Sequence, residues 1–184
     1  NGNKVYFASV DNAEKLFTGE SRTDNVTYDS KEDALVFRKN EKVSDPMVTF
    51  DVSADNLSTN DYPYIAITYK TTTSGENSQL FLLTSNHPLA AIDAQPRYSL
   101  TGDGKYHTVI IDASEYECWT NDTIKGFRFD YFGTGNVGDT LYIDSIAFCA
   151  DLNHANYMKW ERETLRGSAP AEFYAAPGMD LSFS

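Results

Sequence analysis

In successive short stretches of the chain apolar and polar residues alternate one by one, which is the period of half-buried strands. Val5 and Phe7 open the series, followed by an apolar run over 34–38 and by Val48, Phe50 and Val52 after the Asp45-Pro46 pair. The most regular stretch is 61–70, where Ile65, Ile67 and Tyr69 share one face and Tyr64, Ala66, Thr68 and Lys70 the other. Residues 78–84 and a short piece near Tyr98 also read as strands, and 106–112 with Val109 and Ile111 inward continues the alternation. In the last repeat, Phe127, Phe129 and Tyr131 alternate with Arg128, Asp130 and Phe132, and Leu141 and Ile143 follow a turn rich in glycine. Two alternating runs about such a turn predict an antiparallel hairpin over 125–148, and Gly75 predicts another over 71–77. After Ile143 the phase breaks, because Ile146 and Phe148 are also apolar. One extra residue near Asp144 and Ser145, a bulge, restores it.

Between these strands lie turn signals, and before residue 150 only 13–17 offers a helical turn. The chain is therefore predicted to be all-β, an antiparallel sandwich of eight or nine strands. After Asp151 the composition shifts. Residues 153–166 are helix-compatible, with Tyr157, Trp160 and Leu165 near one stripe and Gly167 as a stop. The Pro-, Ala- and Ser-containing remainder reads as a linker or docked tail. This divides the 184 residues into a sandwich over 1–151 and a helical extension over 152–184. The Asn1-Gly2-Asn3 start reads as that of a mature or excised fragment.

Composition narrows the partners. Aromatics make up 14% of the chain, chiefly 12 Tyr and 11 Phe, which suits strands and also suits sugar recognition. A net charge of −12 offers no basic footprint for nucleic acid, nor for an anionic membrane or a strongly acidic polysaccharide. No apolar run is long enough to span a bilayer. Cys118 and Cys149 are compatible with two buried thiols or with a disulfide.

Trp119, Gly126, the Arg128-Phe129-Asp130 triplet and the run Tyr142-Ile143-Asp144-Ser145-Ile146 resemble the closing strands of jelly-roll carbohydrate-binding modules. The Asp45-Pro46 start, the Tyr62-Pro63 strand and the Gly102-Asp103-Gly104 turn follow the same order, so the resemblance covers about 4–150. It implies a jelly-roll β-sandwich that binds polysaccharide without cleaving it, as one module of a larger extracellular or cell-surface bacterial protein. It also implies a structural calcium ion at Asp144, for which Asp11 and Glu14 are the candidate partners, and a Trp119 buried in the core.

Sugars present hydroxyls and weakly apolar C–H faces, so their sites combine rings with planar polar groups. By strand parity Tyr64, Thr68, Gln79, Arg128, Asp130 and Tyr142 lie off the core and line one concave surface if their strands share a sheet. Arg128 and Asp130 offer bidentate hydrogen bonds, or simply pair with each other. Tyr98 and Trp160 are alternative platforms in less regular segments. Two readings stand beside binding: a structural or adhesive spacer that contacts protein, and a lyase-like enzyme, for which Arg128, Tyr142 and Gln79 supply part of the usual set while His87 and His107 fall in or next to loops. Glu115 and Glu117 have the spacing of paired glycosidase carboxylates but sit in a turn.

Overall fold

The computed structural model describes residues 2–19, 22–42, 45–133 and 135–168. Two antiparallel sheets face one another, as the alternating pattern requires. Sheet A runs β3 (Thr27–Asp29), β4 (Ala34–Arg38), β11 (Thr140–Cys149), β6 (Tyr64–Thr71), β9 (Tyr106–Asp112), and β1 (Asn3–Phe7) also pairs with β11. Sheet B runs β2 (Phe17–Thr18), β5 (Val48–Asp51), β10 (Ile124–Asp130), β7 (Gly75–Thr84), β8 (Arg97–Leu100). Between the sheets lie the inward faces read from sequence: Ile65, Ile67 and Tyr69 of β6, Val48 and Phe50 of β5, and Phe127 and Phe129 of β10. Phe50 and Phe127 meet edge to face with centroids 5.1 Å apart, an arrangement favoured by the ring quadrupoles.

Both predicted hairpins are instead crossings between sheets. β6 lies in sheet A and β7 in sheet B, and β10 and β11 are likewise split. Alternation fixes which face of a strand is apolar, and a hairpin and a pair of facing strands share that pattern. The difference lies in the connection. After β10 the chain stays buried through Tyr131 and Phe132, the Tyr131 carbonyl accepts from Ser78 Oγ at 2.9 Å, and its hydroxyl meets Thr23 Oγ1 at 2.8 Å. Such a buried path carries the chain round the side of the sandwich instead of turning it back on itself.

The phase break near Asp144 is a bulge, with the β11–β6 register shifting between Ile143 and Ser145. It marks a change of partner on the other edge of β11. There β4 pairs with residues up to Ile143, and β1 pairs from Ser145 onward. The Asp144 carbonyl accepts from Ala8 N at 3.0 Å and so joins the two regimes.

A short helix, α1 (Val10–Lys15), is capped by Ser9, whose hydroxyl accepts from Asn12 N. The second helix, α2 (Leu152–Leu165), is capped by Asp151 and lies across the outer face of sheet A. Its buried apolar residues are Ala155 and Met158, set on Ala66, Ala147 and Cys149. Tyr157 and Trp160, two members of the expected stripe, are only half-buried, and Leu165 is exposed. At the point of contact the sheet presents the small residues Ala66, Ala147 and Cys149, and the helix meets them with Ala155 and Met158, with Val5, Tyr64 and Ile110 packed around. The remainder of the tail, 169–184, lies outside the described residues.

Candidate functional site

The six residues proposed to share a sugar-binding surface fall on opposite sides of the sandwich. Tyr64, Thr68 and Tyr142 belong to sheet A, whereas Gln79, Arg128 and Asp130 belong to sheet B. The first three point away from the core, as parity requires, but α2 occupies that side. Thr68 is buried and its hydroxyl meets that of Thr108 at 2.8 Å. Tyr64 packs against the small cluster under the helix. The Tyr142 ring carries the Lys70 ammonium 5.1 Å from its centroid, and Lys70 is in turn paired with Glu32.

On sheet B the remaining three do come together. Cross-strand register sets Asp130 opposite Gln79, and Arg128 opposite Phe81 on one side and Thr49 on the other. Arg128 Nε and Nη2 donate to Asp130 Oδ1 and Oδ2, both at 2.9 Å, a bidentate pair two residues apart on one strand. The guanidinium lies over the Phe81 ring, its carbon 4.2 Å from the centroid. Ring below and carboxylate beside hold its plane fixed. The Arg128 side chain keeps 28% of its exposure and that of Asp130 only 9%, so the cation is the accessible member. Gln79 accepts from Gln95 Nε2, and Arg97 follows opposite Gln79 on β8.

Sequence reasoning missed Thr49, Asp51, Phe81, Arg97 and Gln95 on this face. For Thr49 and Asp51 the signal was present, since Val48 and Phe50 inward put their neighbours outward. Phe81 was hidden because 80–83 is apolar throughout, and only pairing with β10 shows which side faces out. Five strands at about 4.8 Å spacing make a face roughly 20 Å wide. Among the described residues it carries Arg128 and Arg97 against Asp130 and Asp51, a balance of charge on an acidic protein.

The alternative platforms are placed differently. Trp119 is core: its indole N–H donates to the Tyr62 carbonyl at 2.8 Å and its ring stacks on Phe148. Tyr98 turns inward from β8 and stacks on Phe129. Its hydroxyl is buried without a partner, and burial, then the nearby Asp130 charge, pushes its pKa well above the ordinary tyrosine range. The lyase-like set is dispersed, with Tyr142 on the far sheet and His107 on β9 bound to Asp103 at 2.8 Å. Cys118 and Cys149 are free buried thiols.

Asp144, Asp11 and Glu14 do not assemble as calcium ligands. Asp11 is exposed on α1 and paired with Lys15 at 2.8 Å, and Glu14 is exposed one turn along. Asp144 is buried, with both oxygens taken by arginines: Oδ2 by Arg162 Nε at 2.8 Å, and Oδ1 by Arg162 Nη2 at 2.9 Å and Arg166 Nε at 2.7 Å. Burial raises the Asp144 pKa, and the arginine hydrogen bonds outweigh it, so the carboxyl ends below its ordinary value. Among the described residues no three His, Cys, Asp or Glu side chains are grouped as a metal would need. Calcium requires six to eight oxygens, which this donor set does not offer.

No protein-family model and no curated protein sequence matches the chain. Solved structures do. Two variants of a family 29 carbohydrate-binding module match at 10% identity, over 82% and 80% of this chain and 93% and 90% of theirs, with TM-scores of 0.54 and 0.52. In one an arginine, and in the other an aspartate two positions later, is replaced by alanine to probe ligand recognition. A low-affinity xylan-binding module of family 86 from Roseburia intestinalis matches at 12% identity, over 82% of this chain and 97% of its own, with a TM-score of 0.53. The xylan-binding module of family 15 follows at 18% identity and 0.50, covering 79% and 95%. The chain thus has the β-sandwich fold of carbohydrate-binding modules.

Proposed function

We propose that the outer face of sheet B binds a neutral polysaccharide without cleaving it. The carrying observation is the Arg128–Asp130 pair, held planar over Phe81 beside Gln79, on the face opposite α2. Vicinal hydroxyls match such a surface: the unused guanidinium N–H groups donate, the carboxylate lone pairs accept, and the Gln79–Gln95 amides do both. Charge balance on the face favours an uncharged ligand. The arginine and aspartate probed in the family 29 module have the same spacing, and family 86 and family 15 neighbours bind xylan, which supports a plant-wall glycan as first target. Because Phe81 is already covered by the guanidinium, hydrogen bonds lead over ring stacking, and binding is weak. An extracellular location and a role as one module of a larger polypeptide are part of the same proposal, since a plant-wall polysaccharide is met outside the cell.

Affinity electrophoresis and calorimetry against soluble xylan, mannan and mixed-linkage glucan test this. The parent should be retarded by at least one of them. Losing a charge-assisted hydrogen bond costs about 1.5–3 kcal/mol, so Arg128→Ala should weaken binding about ten- to a hundredfold while the circular dichroism spectrum is retained. Tyr142→Ala, on the opposite sheet, should bind as the parent does. Binding that survives Arg128→Ala and is lost in Tyr142→Ala would move the site to sheet A. Absence of binding to every glycan would favour a spacer.

A further inference from the structure

We infer that α2 carries a tethered cation, in which Arg162 and Arg166 take the place at the β11 bulge that a divalent metal would fill. Three oxygens from two distant chain segments converge on Arg166. Its Nε donates to Asp144 Oδ1, its Nη1 to the Glu32 carbonyl at 2.7 Å, and its Nη2 to the Asp33 carbonyl. A carboxylate and two peptide carbonyls are hard oxygens of the kind calcium takes, but they are three where calcium needs six to eight. Here a guanidinium meets them with directed N–H groups, which suit acceptors spread around a plane. Arg162 closes the other side of the same carboxylate with a bidentate pair.

Two positive charges therefore surround a carboxylate that is 2% exposed, and they repel any further cation. Each guanidinium is also seated on a ring, Arg162 over Phe7 at 4.9 Å and Arg166 over Tyr106 at 4.5 Å. The clasp thus ties β1, the turn before β4, the β11 bulge, β9 and α2 in one place. Arg162 lies in the last turn of α2 and Arg166 at its C-cap, where cations also complement the negative end of the helix dipole. The chain encodes these cations eighteen and twenty-two residues beyond the carboxylate.

The inference stands apart from the glycan proposal, because the clasp lies on sheet A and Arg128 on sheet B. Thermal melting tests it. The parent should melt at the same temperature in excess chelator and in millimolar calcium. Arg162→Gln leaves a buried carboxylate with one of its three arginine hydrogen bonds, and should lower the midpoint by about 10 °C. Adding Asp144→Asn to Arg162→Gln should recover part of that loss, since the residual charge is removed. If Arg162→Gln does not fold, Arg166→Lys, which keeps the charge and loses the planar fork, should melt several degrees below the parent. A calcium-dependent rise in the parent's midpoint would overturn the inference. So would parent-like melting of Arg166→Lys, or additive losses in the Asp144→Asn/Arg162→Gln pair.

Discussion

Gly126 sits in the middle of β10 at φ +137°, a conformation L side chains rarely adopt, beside the irregularity in the β10–β7 pairing. A Cβ added there falls 1.9 Å from the Phe50 carbonyl oxygen and 2.9 Å from its carbonyl carbon. Both are backbone atoms of β5, so no side-chain rotation relieves the contact, and the strands must separate. Separation strains the bond from Val52 N to the Lys125 carbonyl, now 2.8 Å, and the adjoining Gly126–Asp51 pairing. Backbone strain of about 1–3 kcal/mol adds to one or two ladder bonds at about 1 kcal/mol each. Gly126→Ala should therefore cost about 2–5 kcal/mol, a large share of the roughly 5–15 kcal/mol that a domain possesses. Gly138→Ala is the control, since φ is +90° there but nothing lies within 4 Å of the added carbon. It should pay only the strain. Urea titrations of the three proteins measure this through a lowered midpoint at unchanged slope. If Gly126→Ala and Gly138→Ala lose equal stability, the clash contributes nothing and the account of β5–β10 packing fails.

Three further outcomes are expected. The Asp144 carboxyl is depressed in the folded state, so its contribution is present above its unfolded value of about 3.9 and is lost as pH falls through the lower folded value. Acid unfolding of Asp144→Asn should accordingly be less steep than that of the parent below about pH 4. Burial, with Asp151 nearby, pushes the Cys149 thiol up to about 12, and burial also raises Cys118. Neither should react with a thiol reagent at mildly alkaline pH until denaturant is added. Truncation after Asp151 strips the cover from Ala66, Ala147 and Cys149 and leaves Asp144 without either arginine. The product should be aggregation-prone or melt far below the parent, as light scattering and calorimetry would show.

What the sequence reveals and what it conceals divide along a physical line. Period-two alternation placed Ile65, Ile67, Phe127 and Phe129 inward, and the broken phase placed the bulge at Asp144, because side-chain burial is a local consequence of the pleat. Which sheet a strand joins is not local. Tyr64 and Arg128 both lie off the core, yet pairing of β6 with β11 and of β10 with β5 sends them to opposite surfaces. Thr68 shows the same gap in another form, since parity points it outward while α2, supplied from beyond residue 151, buries it. Arg162 and Arg166 gave no signal as partners of Asp144, for a helix with Arg four residues apart is ordinary on any solvated face.

The pairing of β1 with β11, Asn3 opposite Cys149, sets a schedule as well as a shape. Until residue 149 has left the ribosome, the central strand of sheet A is missing, and β1, β4 and β6 have no shared partner to align on. At about 5–20 residues per second, the aromatic-rich strands β4 to β10 wait several seconds without a completed fold. Most of their stabilising contacts are distant in sequence, which is the regime of slow, all-at-once folding. A nascent chain in this condition exposes Phe37, Phe50, Phe127 and Phe129 together, residues that end between the two sheets. Association with its neighbours is the hazard of that interval, and the order in which its strands arrive sets how long it lasts.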